Sequence, residues 1–465
     1  MRAPNSSMSL PNSAATLPVP RALWRTYLAF LGPMVVANIL QALASTFNGI
    51  YVGQMLGTRA LAAVSGMFPI VFFFVSLLIG IGAGASVLIG QAWGARDLEK
   101  VKTVAGSTLF LCALIGTAAA ILGGLFASHA LVALETPADV LQDAEAYARL
   151  VMLALPLLLV FVSSTQLLRG VGDSLNPLLA SLLSTGAGML FTPALIRGWV
   201  GLPQLGILAP AVAGIIANAL ALGFLILRLR RNRHALAPDL ALWRALRPNM
   251  LVLVRVLRIG LPTGVQMVVI SLAELAILSL VNRYGSGATA AYGAVNQVVN
   301  YVLFPAMSIA IAASILGSHA IGAGRVEQLS VILRTGLLLN VVIVGSLVGL
   351  GYWFSRQILG LFITQTPTLL VAEDLLHVML WSMVLFGFQS IVGGIMRASG
   401  TVLVPVAISV ASITLVELPC AYALSAHYGL KGVWIAYPIA FGTMLVLQIS
   451  FYFGVWRHRK IERLT

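Results

Sequence analysis

Apolar residues in this chain come in long unbroken runs separated by short polar breaks. A run that crosses about 30 Å of hydrocarbon needs roughly 20 residues. Twelve such runs can be read, at about 24–52, 61–92, 101–127, 141–168, 176–199, 205–231, 250–282, 288–319, 328–354, 373–396, 401–425 and 429–456. They are continuous and do not alternate with a period of two, which excludes a closed β-barrel. The pattern predicts an all-α polytopic membrane protein. The polar stretches then divide the chain into an N-terminal tail (1–23), a six-helix bundle (24–231), a linker (232–249), a second six-helix bundle (250–456) and a C-terminal tail (457–465).

Composition agrees. Of 465 residues 59% are hydrophobic and 9% charged, against about 25% charged in an ordinary soluble domain. Too few charges remain to solvate soluble domains of this total length, and disorder requires the opposite composition. Cys112 and Cys420 lie inside apolar runs and offer no disulfide framework or metal spacing. The net charge of +14 suggests nucleic acid at first sight. The basic residues, however, sit in short loops between apolar runs, with no basic face on a soluble domain. If the N-terminus is cytoplasmic, the inner segments hold 22 of the 28 Lys and Arg residues, including Arg2, Arg21, Arg25, Arg96 and the eight from Arg228 to Arg258. The outer segments hold six, among them Arg59, Arg149 and Lys431. Positive-inside bias therefore predicts both termini in the cytoplasm. The first twenty residues lack the apolar stretch of a signal peptide, so the first span is expected to be uncleaved.

The chain repeats itself. A shift of 228 residues places Ala85, Ser86, Leu88, Ala92, Gly94, Ala95 and Glu99 on Ala313, Ser314, Leu316, Ala320, Gly322, Ala323 and Glu327 without a gap. It also places Gly57, Ala60, Ala62 and Ala63 on Gly285, Ala288, Ala290 and Ala291, and Arg169, Gly172 and Pro177 on Arg397, Gly400 and Pro405. Thr136-Pro137 and Thr366-Pro367 nearly match, each placing a capping Thr before a first-turn Pro. Six helices per repeat is an even number, so the repeats are parallel, related by a pseudo-two-fold axis along the membrane normal. Transporters built this way bind substrate between the halves.

Three segments carry a family resemblance: ANILQALASTFNGIYVGQMLG (Ala37 to Gly57), GQAWGARDLEKV (Gly90 to Val101) and LLRGVGDSLNP (Leu167 to Pro177), with Gly260-Leu261-Pro262 opening the second half. From about residue 24 to 456 the chain resembles the multidrug and toxic compound extrusion (MATE) family. The resemblance implies alternating access between two bundles in a bacterial cytoplasmic membrane. It implies export of drug-like, often cationic compounds against a proton or sodium gradient. One departure concerns the first helix, where many bacterial members carry an Asp and this chain has Asn48, which cannot titrate. NorM-like members also have a Glu in the seventh helix, here matched by Glu274 about a turn later than expected, and an Asp in the tenth. The tenth helix here has no acid between Trp381 and Arg397, its nearest polar residue being Gln389.

Polar groups within the spans are the candidate chemistry. Glu274 and Glu417 are the acids well inside predicted spans, and intramembrane carboxyls are functional candidates. Desolvation favours the neutral acid, so Glu274 could exchange a proton, with Gln266 and Ser271 as nearby oxygen ligands; the alternative is a permanently neutral acid bonding across helices. Glu417, near the outer end of its helix before Pro419, reads equally as interfacial. Asn38, Gln41, Ser45 and Asn48 form one polar stripe on the first helix, and Tyr292, Asn296 and Asn300 share a face of the eighth. Amides in lipid must face the bundle or a wet cavity, so both stripes are expected to line a substrate cavity between the halves, the alternative being interhelical hydrogen bonding. Pro33 with Gly32, and Pro305, mark bend points. Arg169, Gly172, Asp173 and Arg397 read as structural loop anchors, His319 as a surface group, and Glu373, Asp374 and His377 as a solvated outer turn. No phosphate-binding loop is present, so ATP drive within the chain is not expected. An embedded enzyme would need clustered His, Asp, Ser or Cys at one face, and none is visible. A lipid-linked sugar flippase of the same superfamily is the runner-up, but it would want midmembrane Lys and Arg that these spans lack. The expected partners are small organic cations and the bilayer, with no metal or cofactor beyond H+ or Na+ and with the chain acting as a monomer.

Overall fold

The computed structural model describes residues 20–57, 60, 64, 67–133, 141–363 and 365–464. Arg2, Arg59, Ala62, Ala63 and the Thr136-Pro137 cap lie outside these. Among the described residues, twelve helices are long and apolar enough to span a membrane: α1 (Leu23–Leu56), α2 (Ile70–Gly94), α3 (Leu98–His129), α4 (Leu141–Gly170), α5 (Leu175–Arg197), α6 (Gly206–Arg231), α7 (Met250–Asn282), α8 (Ser286–Gly322), α9 (Gln328–Trp353), α10 (Thr366–Ala398), α11 (Leu403–Tyr428) and α12 (Leu430–His458). Each coincides with one predicted run. Leu114, Ile121, Leu122 and Leu125 on α3 are exposed, as are Leu338, Val341 and Val342 on α9. A soluble protein would not leave such patches bare.

The helices form two six-helix bundles related by the parallel repeat, which reaches down to single hydrogen bonds. Where α2 ends, the Ala95 and Arg96 N–H groups donate to the Gln91 and Trp93 carbonyls at 2.9 and 3.0 Å. Where α8 ends, Ala323 and Gly324 donate to His319 and Ile321 at the same two distances. Gly172 and Gly400 close α4 and α10 at φ +87° and +81°, in the left-handed region where glycine carries no side-chain penalty. Pairs Gln91/His319, Gly172/Gly400 and Gly94/Gly322 all obey the 228-residue shift.

α1 and α7, which are repeat equivalents, do not stay within their own halves. The beginning of α1, with Leu23, Tyr27, Phe30, Leu31 and Met34, is buried in the core of the C-terminal half, and the Tyr27 hydroxyl donates to the Ile332 carbonyl of α9 at 3.0 Å. Its end, with Tyr51, Met55 and Leu56, packs against Leu195 and Ile196 of α5. α7 does the converse: Val256 and Ile259 belong to the N-terminal core, Ile277, Leu280 and Val281 to the C-terminal one. Both helices run unbroken through their prolines, Pro33 and Pro262, as α8 does through Pro305. The local irregularities lie elsewhere, in π turns at Val52–Leu56, Asn340–Val344 and Ile413–Glu417.

The halves meet along α2, which touches α7 and α8. A Cβ on Gly80 would lie 2.4 Å from the Gly260 carbonyl oxygen, and one on Gly260 would lie 2.6 Å from that of Gly80. Glycine alone permits this approach, the way helices associate where lipid supplies no hydrophobic drive. The linker is docked and not loose. Its short helix Leu240–Ala245 lies on α3, with the Ala245 carbonyl against Gly106. Asn249 caps α7, its side-chain oxygen accepting from the Val252 N–H at 3.2 Å. α10 begins one residue earlier than its Thr-Pro pair suggested: Gln365 occupies the cap position and offers no side-chain bond, because Thr366 is already helical.

Gly260→Ala should cost about 1–3 kcal/mol through overpacking and lower the thermal midpoint in detergent. Gly32→Ala, where the added carbon meets open space, should not lower it.

Candidate functional site

In the N-terminal half, Gln41, Ser45 and Asn48 of α1 line a cavity of about 260 Å³ together with Ser184 and Thr185 of α5 and Asn218 of α6. Gly188 and Gly214 leave open space over their Cα atoms. The Ser184 hydroxyl donates to the Asn218 side-chain oxygen at 3.1 Å. The Asn48 Oδ1 is buried without a hydrogen-bond partner, and a buried orphan carbonyl calls for a donor from water or ligand. The lining mixes hydroxyls and amides with apolar side chains such as Phe47, Leu158 and Phe161, and carries no charged residue. Asn38, at the start of the stripe, points elsewhere: its Nδ2 donates across the seam to the Ser308 hydroxyl of α8 at 3.3 Å.

The charge lies in the other half. Glu274 sits on an exposed position of α7, while Glu417 is 5% exposed on α11. Ala273, next to Glu274, packs with Ile413 and Leu418 around Glu417, and the same half holds the hydroxyls of Tyr292 and Tyr437. Those hydroxyls are 2.9 Å apart, and the Tyr292 ring stacks on Trp434 with centroids 5.7 Å apart and planes 7° off parallel. Asn296, a turn after Tyr292, is half-buried on the same helix. Gln266 is half-buried on α7 and Asn300 is exposed on α8. Neither Glu274 nor Glu417 makes an ion pair among the described residues. Further along the same half, the Gln448 amide of α12 donates to the Gln389 side-chain oxygen of α10 at 3.0 Å.

The sequence grouped the α1 stripe and the α8 amides into one cavity. The structure separates them: Gln41, Ser45 and Asn48 line the cavity with residues of α5 and α6, and no α8 residue lines it. Glu417 was read equally as interfacial and is buried instead, beside Glu274. A π turn pairs residues five apart, and the one at Ile413–Glu417 gives this stretch a periodicity that regular helical spacing does not foresee. Tyr437, Trp434 and Gln448 went unnoticed within an apolar run. Tyr437 and Gln448 are eleven residues apart, three turns on one face, and that spacing was the available signal.

The anchors differ from expectation too. Arg169 and Asp173 do not pair. The Arg169 Nη1 donates to Gln166 at 3.2 Å, and Asp173 accepts the Leu175 and Asn176 N–H groups at 3.1 Å each, starting α5. Asp173 also faces His234 of the linker at 3.5 Å. Burial pushes the His234 imidazole below its usual value, against the pull of Asp173. Arg397 is half-buried at the end of α10. His319 is no surface group: its Nε2 donates to the Gly170 carbonyl oxygen at 2.8 Å across the seam. Glu373 and Asp374 are paired, with Arg356 and Lys431, each at 2.9 Å. His377 packs against the Tyr352 ring, with centroids 5.0 Å apart.

Known proteins match this architecture. The MatE family model matches residues 33–194 and again 262–423, once per half. A Bacillus subtilis protein, probable multidrug resistance protein YoeA, is 42% identical over 445 residues, 95% of this chain and 96% of its own. The Staphylococcus aureus multidrug export protein MepA is 21% identical over 88% of this chain and 89% of its own. A crystal structure of a mutant of the Vibrio cholerae MATE transporter VcmN superposes with a TM-score of 0.87 at 18% identity, covering 95% of this chain and 99% of that one. An outward-facing MATE structure superposes with a TM-score of 0.84 at 23% identity, covering 93% and 95%.

Removing either hydroxyl of the Tyr292–Tyr437 pair should cost about 1 kcal/mol of stability. In a double-mutant cycle of thermal unfolding, Tyr292→Phe and Tyr437→Phe together should cost no more than the larger single loss. Additive losses would mean that the hydroxyls do not bond one another.

Proposed function

Because this chain belongs to the MatE family, matched in both halves, we propose that it is an ion-coupled exporter of organic, often cationic compounds. It works by alternating access in the bacterial cytoplasmic membrane, with both termini in the cytoplasm. The observation that carries this reading is that two carboxyls, Glu274 and the buried Glu417, lie where α7 and α11 pack through Ala273, Ile413 and Leu418, with no ion-pair partner among the described residues. Acids in a low-dielectric bundle do not both stay charged and bare. The pair takes up one positive charge, as a proton or a sodium ion, or it attracts a cationic substrate. Neutralising Glu274 removes the charge that draws the substrate, so ion and substrate exclude one another. Such differential affinity is what coupling requires.

The uncharged N-terminal cavity suits the remainder of the task. Its hydroxyls and amides give an organic molecule adaptable hydrogen bonds with no fixed charge to satisfy. That lining also weighs against a lipid-pyrophosphate flippase, whose substrate would need cations there. Arg228, Arg230 and Arg231 end α6 at the face where α1 begins and α12 ends, in keeping with that face being cytoplasmic.

The test is substrate efflux from vesicles under separately imposed proton and sodium gradients. Glu274→Gln, correctly inserted, should lose gradient-driven export and bind a cationic substrate more weakly than the parent does. Wild-type export by that variant would overturn the reading. Asn48→Asp, which adds a titrating group to the neutral cavity, should change the pH profile of export, whereas Asn48→Gln should leave it as in the parent. An identical profile in Asn48→Asp would place residue 48 off both the substrate and the ion path.

A further inference from the structure

At the face that carries the chain ends, the two halves are held by a pair of contacts that mirror one another. From α2, the Gln91 Nε2 donates to the Ala398 carbonyl oxygen at the end of α10, at 2.8 Å. From α8, the His319 Nε2 donates to the Gly170 carbonyl oxygen at the end of α4, also at 2.8 Å. Residues 91 and 319 are repeat equivalents, and so are 170 and 398. Each half therefore reaches across with the same position and grips the same position of the other. The backbones close up reciprocally as well. A Cβ on Gly94 would lie 2.2 Å from the His319 carbonyl oxygen, and one on Gly322 would lie 1.9 Å from that of Gln91.

The gripped carbonyls are the ones available. Helix ends leave their last carbonyls unpaired. The reversal after α4 uses those of Leu167, Leu168 and Arg169, and the reversal after α10 uses those of Met396 and Arg397. Gly170 and Ala398 are left over, and the opposite half takes them. Gln91 is fully buried. Its side-chain oxygen accepts the Leu464 N–H of the C-terminal segment at 2.7 Å. The Leu464 carbonyl in turn accepts from the Arg255 guanidinium, and its side chain covers Gly400. The segment thus fastens the Gln91 contact alone.

We propose that Gln91 and His319 are the paired locks of the inner gate, holding the face that carries the chain ends shut while the transporter is open on the other side. When the halves part there, water replaces both donors at the Gly170 and Ala398 carbonyls, so the lock releases at modest cost. That this face is the cytoplasmic one rests on the export reading; the lock itself does not. Neither residue touches substrate. They act as positioning residues that set the populations of the two states.

The test uses the full chain in lipid nanodiscs, with Cys112→Ala, Cys420→Ala and Ser318→Cys. Ser318 is fully buried at the seam beside Gly90, so a water-soluble maleimide reaches a thiol there only when the gate opens. Loss of one net hydrogen bond should raise the labelling rate about fivefold in Gln91→Leu or His319→Leu, and about twentyfold in the double variant. His319→Gln, which gives α8 the residue that α2 uses at the equivalent place, should label as the parent does. Gly94→Ala pushes on the His319 backbone and disturbs the same approach without removing either side-chain donor, and it should also raise labelling. Should the leucine variants not fold, Gly94→Ala and His319→Gln still decide the matter. Labelling of the folded variants within twofold of the parent would overturn the proposal, and so would fast labelling of His319→Gln. No gradient or substrate enters this measurement, so its failure is separable from a failure of the export reading.

Discussion

Everything in this molecule depends on how closely the backbones of α2, α7 and α8 approach across the seam. Lipid tails are as apolar as leucine, so burying side chains between membrane helices gains little over leaving them in lipid. Cohesion has to come from dispersion at short range and from polar bonds. The glycines at positions 80, 84 and 260, and at 94 and 322, supply the first by removing every atom between facing backbones. Gln91 and His319 supply the second. A seam of this kind is strong when closed and loses its cohesion quickly once separated, since dispersion falls off within an ångström or so. Two discrete states follow more readily than a continuum of partly open ones.

Two halves with one fold have become chemically unlike. The N-terminal one has a neutral, hydroxyl-lined cavity; the C-terminal one has two acids, two bonded tyrosines and a stacked tryptophan. The repeat fixes helix ends, turns and glycines, which are the backbone's own requirements. It leaves free the side chains that point into each bundle. Asn48 and Glu274 are thus not imperfect copies of one site but parts of two.

The sequence disclosed the architecture well, because long apolar runs, basic loops and a gapless shift are each direct readouts of membrane physics. It also singled out Gln41 and Asn48, which line the N-terminal cavity, and Glu274, Glu417 and Tyr292 in the other half. It did not disclose the grouping. Which way a polar stripe turns within a bundle depends on helix rotation, and α1 crosses from one half to the other, so its two ends face different neighbours. His319 was misread for a related reason. A histidine at a helix end is ordinarily wet, and only the closed seam, bringing Gly170 to it from a segment 149 residues away, makes it a half-buried donor. The π turn at Glu417 is invisible to any fixed period.

The crossing of α1 and α7 also governs how the protein can be made. Leu23, Tyr27, Phe30, Leu31 and Met34 leave the ribosome first, yet the surfaces that bury them belong to α8 and α9, more than 250 residues later. Until those arrive, the start of α1 has only lipid or temporary neighbours, and the N-terminal six helices form an unfinished object. The second six are equally incomplete alone, because α7 begins in the core of the first. Gene duplication supplied two similar pieces, but the exchange of one helix end from each removed the independence that duplicated domains ordinarily keep. Severed at the linker, the two fragments would have to find each other in the bilayer before either could finish folding.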